Sequence, residues 1–142
     1  MSSSAPNILG LDHVVLRVKD AARAVRFYTG VLGLNVERVR EDLGLTQLRA
    51  GHSLLDLVDV GGALGRKGGA APDADAHNMD HFCLRIEPFD IAALSAHLIA
   101  HGVMPGEVRE RYGADGYGAS LYIKDPDGNT VELKGPPVRA GR

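Results

Sequence analysis

Two histidines and two carboxylates occupy matching places in this chain of 142 residues. His13 lies in Leu11-Asp12-His13-Val14-Val15-Leu16-Arg17-Val18, and the same Asp-His-x-x-Leu-Arg pattern returns in Met79-Asp80-His81-Phe82-Cys83-Leu84-Arg85-Ile86. Each stretch is followed later by one carboxylate between apolar neighbours, Leu55-Asp56-Leu57 and Val131-Glu132-Leu133. Strand alternation turns each histidine and each carboxylate away from the aliphatic residues that must cover a helix. Each half of the chain therefore offers one imidazole and one carboxylate on its polar face. Halves packed face to face, or around a pseudo-dyad, would bring all four together. Two histidines with one or two carboxylates suit a divalent metal (Fe(II), Mn(II), Ni(II), Co(II) or Zn(II)) and leave positions for water or substrate.

Further polar residues share these faces. Arg17 and Arg85 stand four residues beyond their histidines, roughly 13 Å at strand rise. They and Lys134, two residues past Glu132, are candidate contacts for an anionic substrate; Tyr117 and Tyr122 are candidate pocket walls. His97 and His101 have helical i,i+4 spacing, but no Glu follows His97, so the pair reads as solvent-exposed. His52 belongs to a hairpin turn, and His77 lies near enough to the His81 strand to support a ligand. Cys83 alternates with His81; a small packing residue is the simpler reading than a reactive thiol.

The elements that must position these residues come in two similar sets. The first is a strand over 11–18, a helix over 21–32 capped by Asp20 and ended by Gly33, and strands near 34–40, 45–50 and 53–59. The second is a strand over 79–87, a helix over 90–101, and strands near 103–110, 118–124 and 129–134, the last two joined by the turn Asp125-Pro126-Asp127-Gly128-Asn129. Each unit is βαβββ, and their shared order argues for internal duplication. Module one covers 8–60 and module two 79–135. The connector over 60–78, with glycines at 61, 62, 65, 68 and 69, reads as flexible, as do termini 1–7 and 136–142. The expected class is α+β, a curved mixed sheet around a shared cavity with helices outside.

Composition narrows the setting. Apolar residues at 44% and charged residues at 24% describe a globular chain rather than a disordered or fibrous one. A net charge of −2 asks for neither nucleic acid nor an anionic membrane. One cysteine excludes an internal disulfide, and no apolar run is long enough to span a bilayer. A cytoplasmic protein is expected.

At these residues the chain resembles the vicinal oxygen chelate superfamily, which includes glyoxalase I, fosfomycin- and bleomycin-resistance proteins, methylmalonyl-CoA epimerase and extradiol dioxygenases. The resemblance runs over residues 8–135. It is carried by Leu11 to Asp20, by Arg26-Phe27-Tyr28 through Val31-Leu32-Gly33-Leu34, and by Tyr122 to Leu133. Short glyoxalase-domain proteins are similar also in the Gly-rich stretch Tyr112 to Gly118. The resemblance implies one divalent metal per site, held by His13, His81 and Glu132. It places Asp56 where glyoxalase I has Glu; one methylene shorter, Asp56 is expected to reach the metal only through water. It implies a lyase or isomerase acting on a small substrate that chelates the metal through adjacent oxygens, with Glu132 alternating between ligand and proton shuttle. Two alternatives are an Fe(II) extradiol-type dioxygenase and a sequestering protein of the bleomycin-resistance type. A homodimer is expected, each site taking His13 and His81 from different subunits.

Overall fold

The structure, a computed structural model, describes residues 5–139. Of the termini expected to be flexible, 1–7 and 136–142, residues 1–4 and 140–142 lie outside the described residues. Module one runs β1 (His13–Val18), α1 (Ala21–Arg26), β2 (Asn35–Arg40), β3 (Leu45–Ala50) and β4 (Ser53–Asp59). Module two runs β5 (Phe82–Arg85), α2 (Ile91–Ala100), β6 (Arg109–Gly113), β7 (Gly116–Lys124) and β8 (Thr130–Lys134). The strands form two four-stranded sheets, β1-β4-β3-β2 and β5-β8-β7-β6, rather than one continuous sheet. In each, the first strand pairs parallel with the last and the others are antiparallel, so the two βαβββ units share one topology.

Local chemistry explains the elements. Asp20 and Asp90 each accept a backbone N–H three residues on, from Arg23 and Ala93, capping α1 and α2. The first helix is shorter than its periodicity predicts. After Arg26 it widens into a π-helical turn over Phe27–Val31, inside which Thr29 Oγ1 donates back to Val25 O at 2.7 Å. Gly33, at φ 76°, then turns the chain into β2. Helix-facing residues of both sheets, including Leu16, Val18, Leu55, Leu57, Leu121, Ile123, Val131 and Leu133, join Phe27, Tyr28 and Leu98 in one apolar core.

A polar network fixes one module on the other. The buried Tyr28 hydroxyl donates to Asp125 Oδ2 at 2.7 Å, and Asp125 also accepts from the backbone of Asp127 and Asn129 and from Asn129 Nδ2. Burial and the Asp125 carboxylate push the Tyr28 phenol well above its ordinary pKa. Asn78 bonds both the N–H and the carbonyl of Arg17 and reaches Asn129 Oδ1. Asp127 Oδ1 accepts from Lys19 N. The Asp-Pro-Asp-Gly-Asn turn is thus a joint between modules as well as a hairpin.

Two segments expected to be flexible carry local structure. The connector forms a short 3-10 turn at Gly65–Gly68. Residues 136–139 lie beside β7, where Tyr117 N donates to Arg139 O and Val138 N to Tyr117 O.

Candidate metal centre

Each histidine is oriented by the residue before it. Asp80 Oδ2 lies 2.6 Å from His81 Nδ1, and Asp12 Oδ2 lies 2.8 Å from His13 Nδ1. An imidazole engaged at Nδ1 by a carboxylate presents Nε2 to a ligand, the arrangement common around protein metal ions. His81 stands just before β5 rather than within it, and its Nε2 lies 3.4 Å from Glu132 Oε1. Glu132 is buried on β8, directly opposite Tyr122 on β7. The Tyr122 ring meets the His81 ring edge-on at 5.4 Å. Module two therefore carries an assembled His–Glu pair walled by an aromatic ring.

Module one repeats the arrangement with a difference. His13 lies two residues before Val15, the residue aligned with Asp56 in the parallel β1–β4 pair. Its hydrogen bond to Asp12 and the nearby Asp56 carboxylate raise its pKa above the ordinary 6.5. Asp56, buried, is already engaged: Gln47 Nε2, opposite it on β3, lies 3.2 Å from both carboxylate oxygens. Gln47 escaped the sequence reading because only the strand register brings it to Asp56.

His13 and His81 line one cleft of about 990 Å³ between the modules, with Val14, His52, Phe82 and Cys83 among its walls. Asp56 opens instead onto a hollow of about 300 Å³ that it shares with Val15, Arg17, Leu64 and Gly68. Within one chain, among the described residues, no three His, Cys, Asp or Glu side chains gather closely enough to hold an ion. The expected site takes its two histidines from different subunits, and the four donors do not gather within one chain among the described residues. β1 and β5 belong to different sheets; module two holds the His81–Glu132 pair, while in module one His13 faces the cleft and Asp56 the separate hollow. The donor chemistry of His81, Glu132 and His13 fits a divalent metal.

The other candidates divide. The Arg17 guanidinium is spent on the connector, donating to the carbonyls of Gly65, Gly69 and Ala70 at 2.7–3.0 Å, rather than standing free at a rim. Arg85 pairs with Glu87 and Asp115. Tyr117 stacks under Arg139 at 3.8 Å, away from Glu132. Lys134 is buried on the Glu132 face, its Nζ donating to Gly116 O at 2.8 Å. Cys83, expected to be a small packing residue, is exposed. Its sulfur is nonetheless sheltered enough that partial burial, with the Glu132 carboxylate, pushes the thiol up to about 11. His97 and His101 are exposed, and His97 Nε2 donates to Val31 O at 2.7 Å.

A duplicated βαβββ unit with one histidine at the first strand and one carboxylate on the last strand of each half defines a class of small mixed α+β domains. The chain belongs to the Glyoxalase/Bleomycin resistance protein/Dioxygenase superfamily, whose model matches residues 10–133. It is 33% identical over 129 residues to the glyoxalase domain-containing protein RDO1 of Mycosarcoma maydis, covering 89% of this chain and 68% of that protein. It is 28% identical over 123 residues to virulence protein STM3117 of Salmonella typhimurium, covering 87% of this chain and 81% of that one. The crystal structure of STM3117 superposes with a TM-score of 0.74 over 92% of this chain and 99% of that one, at 26% identity. The protein VPC_CASS1 from the mobile metagenome of V. Pseudocholerae superposes with a TM-score of 0.75, at 28% identity, over 92% of this chain and 97% of that one. No helix among the described residues is long and apolar enough to cross a membrane.

Proposed function

We propose that the chain is a metal-dependent enzyme of the lyase or isomerase type, acting on a small substrate that chelates a divalent ion through two adjacent oxygens. The observation that carries the reading is the His81–Glu132 pair, with Nε2 and Oε1 3.4 Å apart and His81 Nδ1 anchored on Asp80. The match to a relative named as glyoxalase domain-containing agrees with this reading. His13, His81 and Glu132 are the ligands in this reading. Asp56, committed to Gln47, stands behind them as a water-bridged or non-ligating carboxylate.

A divalent ion held by these three residues would act as a Lewis acid on the chelating oxygens. The chain's own work is then positional and protonic. Asp12 and Asp80 fix the two imidazoles. Tyr122 packs against His81 and keeps water from one side of the pair. Glu132, buried and within reach of His81 Nε2, accepts a proton beside an activated C–H and returns it. In this reading the complete site forms between two copies, module one of one subunit facing module two of the other.

The test mixes metal-binding-deficient His13→Ala and His81→Ala proteins under subunit exchange. A shared site restores both histidines to one of the two sites in the mixed dimer, and Ni(II) or Zn(II) uptake partly returns. No recovery despite demonstrated exchange would mean that each chain closes its own site. Wild-type protein unable to take up any of these metals would end the enzymatic reading. Strict dependence on Fe(II) with O₂ consumption would move the activity to the dioxygenase class.

A further inference from the structure

The Glu132 face of module two holds more positive charge than its own acids neutralise. Register places Arg111, Gly118, Ser120, Tyr122, Glu132 and Lys134 on one face, since Arg111 lies opposite Gly118, Ser120 opposite Lys134, and Tyr122 opposite Glu132. The other cations nearby are spent: Arg85 on Glu87 and Asp115, Arg109 on Glu107, and Arg139 on Glu110. Arg111 and Lys134 have no carboxylate partner among the described residues. Lys134 is only 3% exposed, yet its ammonium makes a single hydrogen bond, to Gly116 O.

Both side chains are held in place. Arg111 Nη1 donates to Ser120 O and Oγ at 2.9 and 2.8 Å, and its guanidinium lies 4.5 Å from the centre of the Tyr122 ring. That ring touches His81 on its other contact. Lys134 lies in room left by two glycines of the Gly-rich hairpin. A Cβ at Gly113 would come within 2.9 Å of Lys134 Cε, and one at Gly118 within 3.3 Å of its Nζ. A buried ammonium without a counter-charge is costly, and an ammonium has three donors where this one uses one.

We infer that Arg111 and Lys134 form an oxyanion subsite, which takes a carboxylate or phosphonate group of the substrate beside the two oxygens that chelate the metal. The inference rests on the enzymatic reading above for the identity of that ligand as substrate. The anion supplies the counter-charge that the face lacks, and Tyr122 sets the distance between the subsite and the His81–Glu132 pair.

The experiment uses full-length protein with chelator present, so that no metal contributes. Methylphosphonate and propionate are titrated separately, with calorimetry and thermal unfolding as readouts; whichever binds names the anion class. Wild type is expected to bind one of them and to unfold at higher temperature in its presence. Arg111→Gln is expected to weaken binding about tenfold or more, as loss of a charge-assisted contact does. Lys134→Met removes the buried charge at similar volume. It is expected to unfold no lower than wild type without anion and to lose the anion-dependent rise. A Lys134→Met protein that unfolds earlier and keeps the rise would make Lys134 a staple of the hairpin and overturn the subsite, as would wild type that binds neither anion. Ni(II) uptake measured in parallel separates the two readings: uptake without anion binding removes the subsite alone, and anion binding without uptake removes the enzymatic reading alone.

Discussion

Tyr28→Phe removes one oxygen from the joint between the modules and leaves the ring packing in place. The ring is fully buried, in edge-on contact with Phe27 at 5.0 Å and tilted over Phe82 at 6.4 Å. Its hydroxyl is one of four donors to Asp125, beside Asp127 N, Asn129 N and Asn129 Nδ2. A hydrogen bond to a charged group contributes about 1.5–3 kcal/mol net. Three donors remain on Asp125, so the lower part applies, about 1.5–2 kcal/mol. At this length about 4 °C accompanies each kcal/mol, so Tm should fall by about 6–8 °C. Differential scanning calorimetry or urea unfolding at neutral pH reads the change. Thr29→Val is the control one residue along, because its hydroxyl only back-bonds Val25 O. Its change should stay within about 0.5 kcal/mol. A Tyr28→Phe protein as stable as wild type would show that the ring alone holds this joint and that the Asp125 network contributes nothing to docking the modules.

Three further outcomes are expected. Glu132→Ala should reduce divalent metal uptake to background, whereas Asp56→Ala should cost no more than the 10–100-fold typical of a residue behind the ligands; equal losses by calorimetric titration would make Asp56 a direct ligand. In metal-free protein His13 should titrate above 6.5, since the Asp12 hydrogen bond and the Asp56 charge both favour the imidazolium. That stabilisation is fully present below the unfolded value and is lost as pH rises through the folded one, and Asp12→Asn should lower the NMR midpoint toward 6.5. Cys83, its thiol at about 11, should react slowly with iodoacetamide at pH 8 despite its exposure, the rate climbing with pH toward that value; fast labelling at pH 8 would contradict the effect of partial burial and Glu132.

The repeat was legible because it lies in local pattern. Asp-His-x-x-Leu-Arg marked both first strands, Asp20 marked a helix start, and Asp-Pro-Asp-Gly-Asn marked the last hairpin. What stayed hidden depends on register and on distant partners. Gln47 and Arg111 carry no motif; they reach Asp56 and Tyr122 only because β3 pairs with β4 and β6 with β7 in particular registers. Arg17 and Arg85 hold equivalent places in the repeat, yet one meets connector carbonyls and the other two acids, which no spacing rule distinguishes. The same limit applies to the histidines. Alternation assigned each histidine and its module's carboxylate to one face, but which of them meet depends on register and on how the modules dock. The π-helical turn after Arg26 likewise answers to the burial of Phe27 and Tyr28 rather than to helical periodicity.

β2 bears on a different hazard. All six of its residues are exposed, and it forms the outer edge of its sheet, an open row of backbone donors and acceptors that invites further strands. Val36 and Val39 would favour such stacking, but the pairing with β3 slips between Val36 and Arg38, and the strand carries Glu37, Arg38 and Arg40. A bulge bends the edge away from a flat template, and each charge would be brought beside its own copy in a parallel in-register stack. The bulge and the like charges thus disfavour growth by backbone pairing at this edge, the step by which open strands template fibrils.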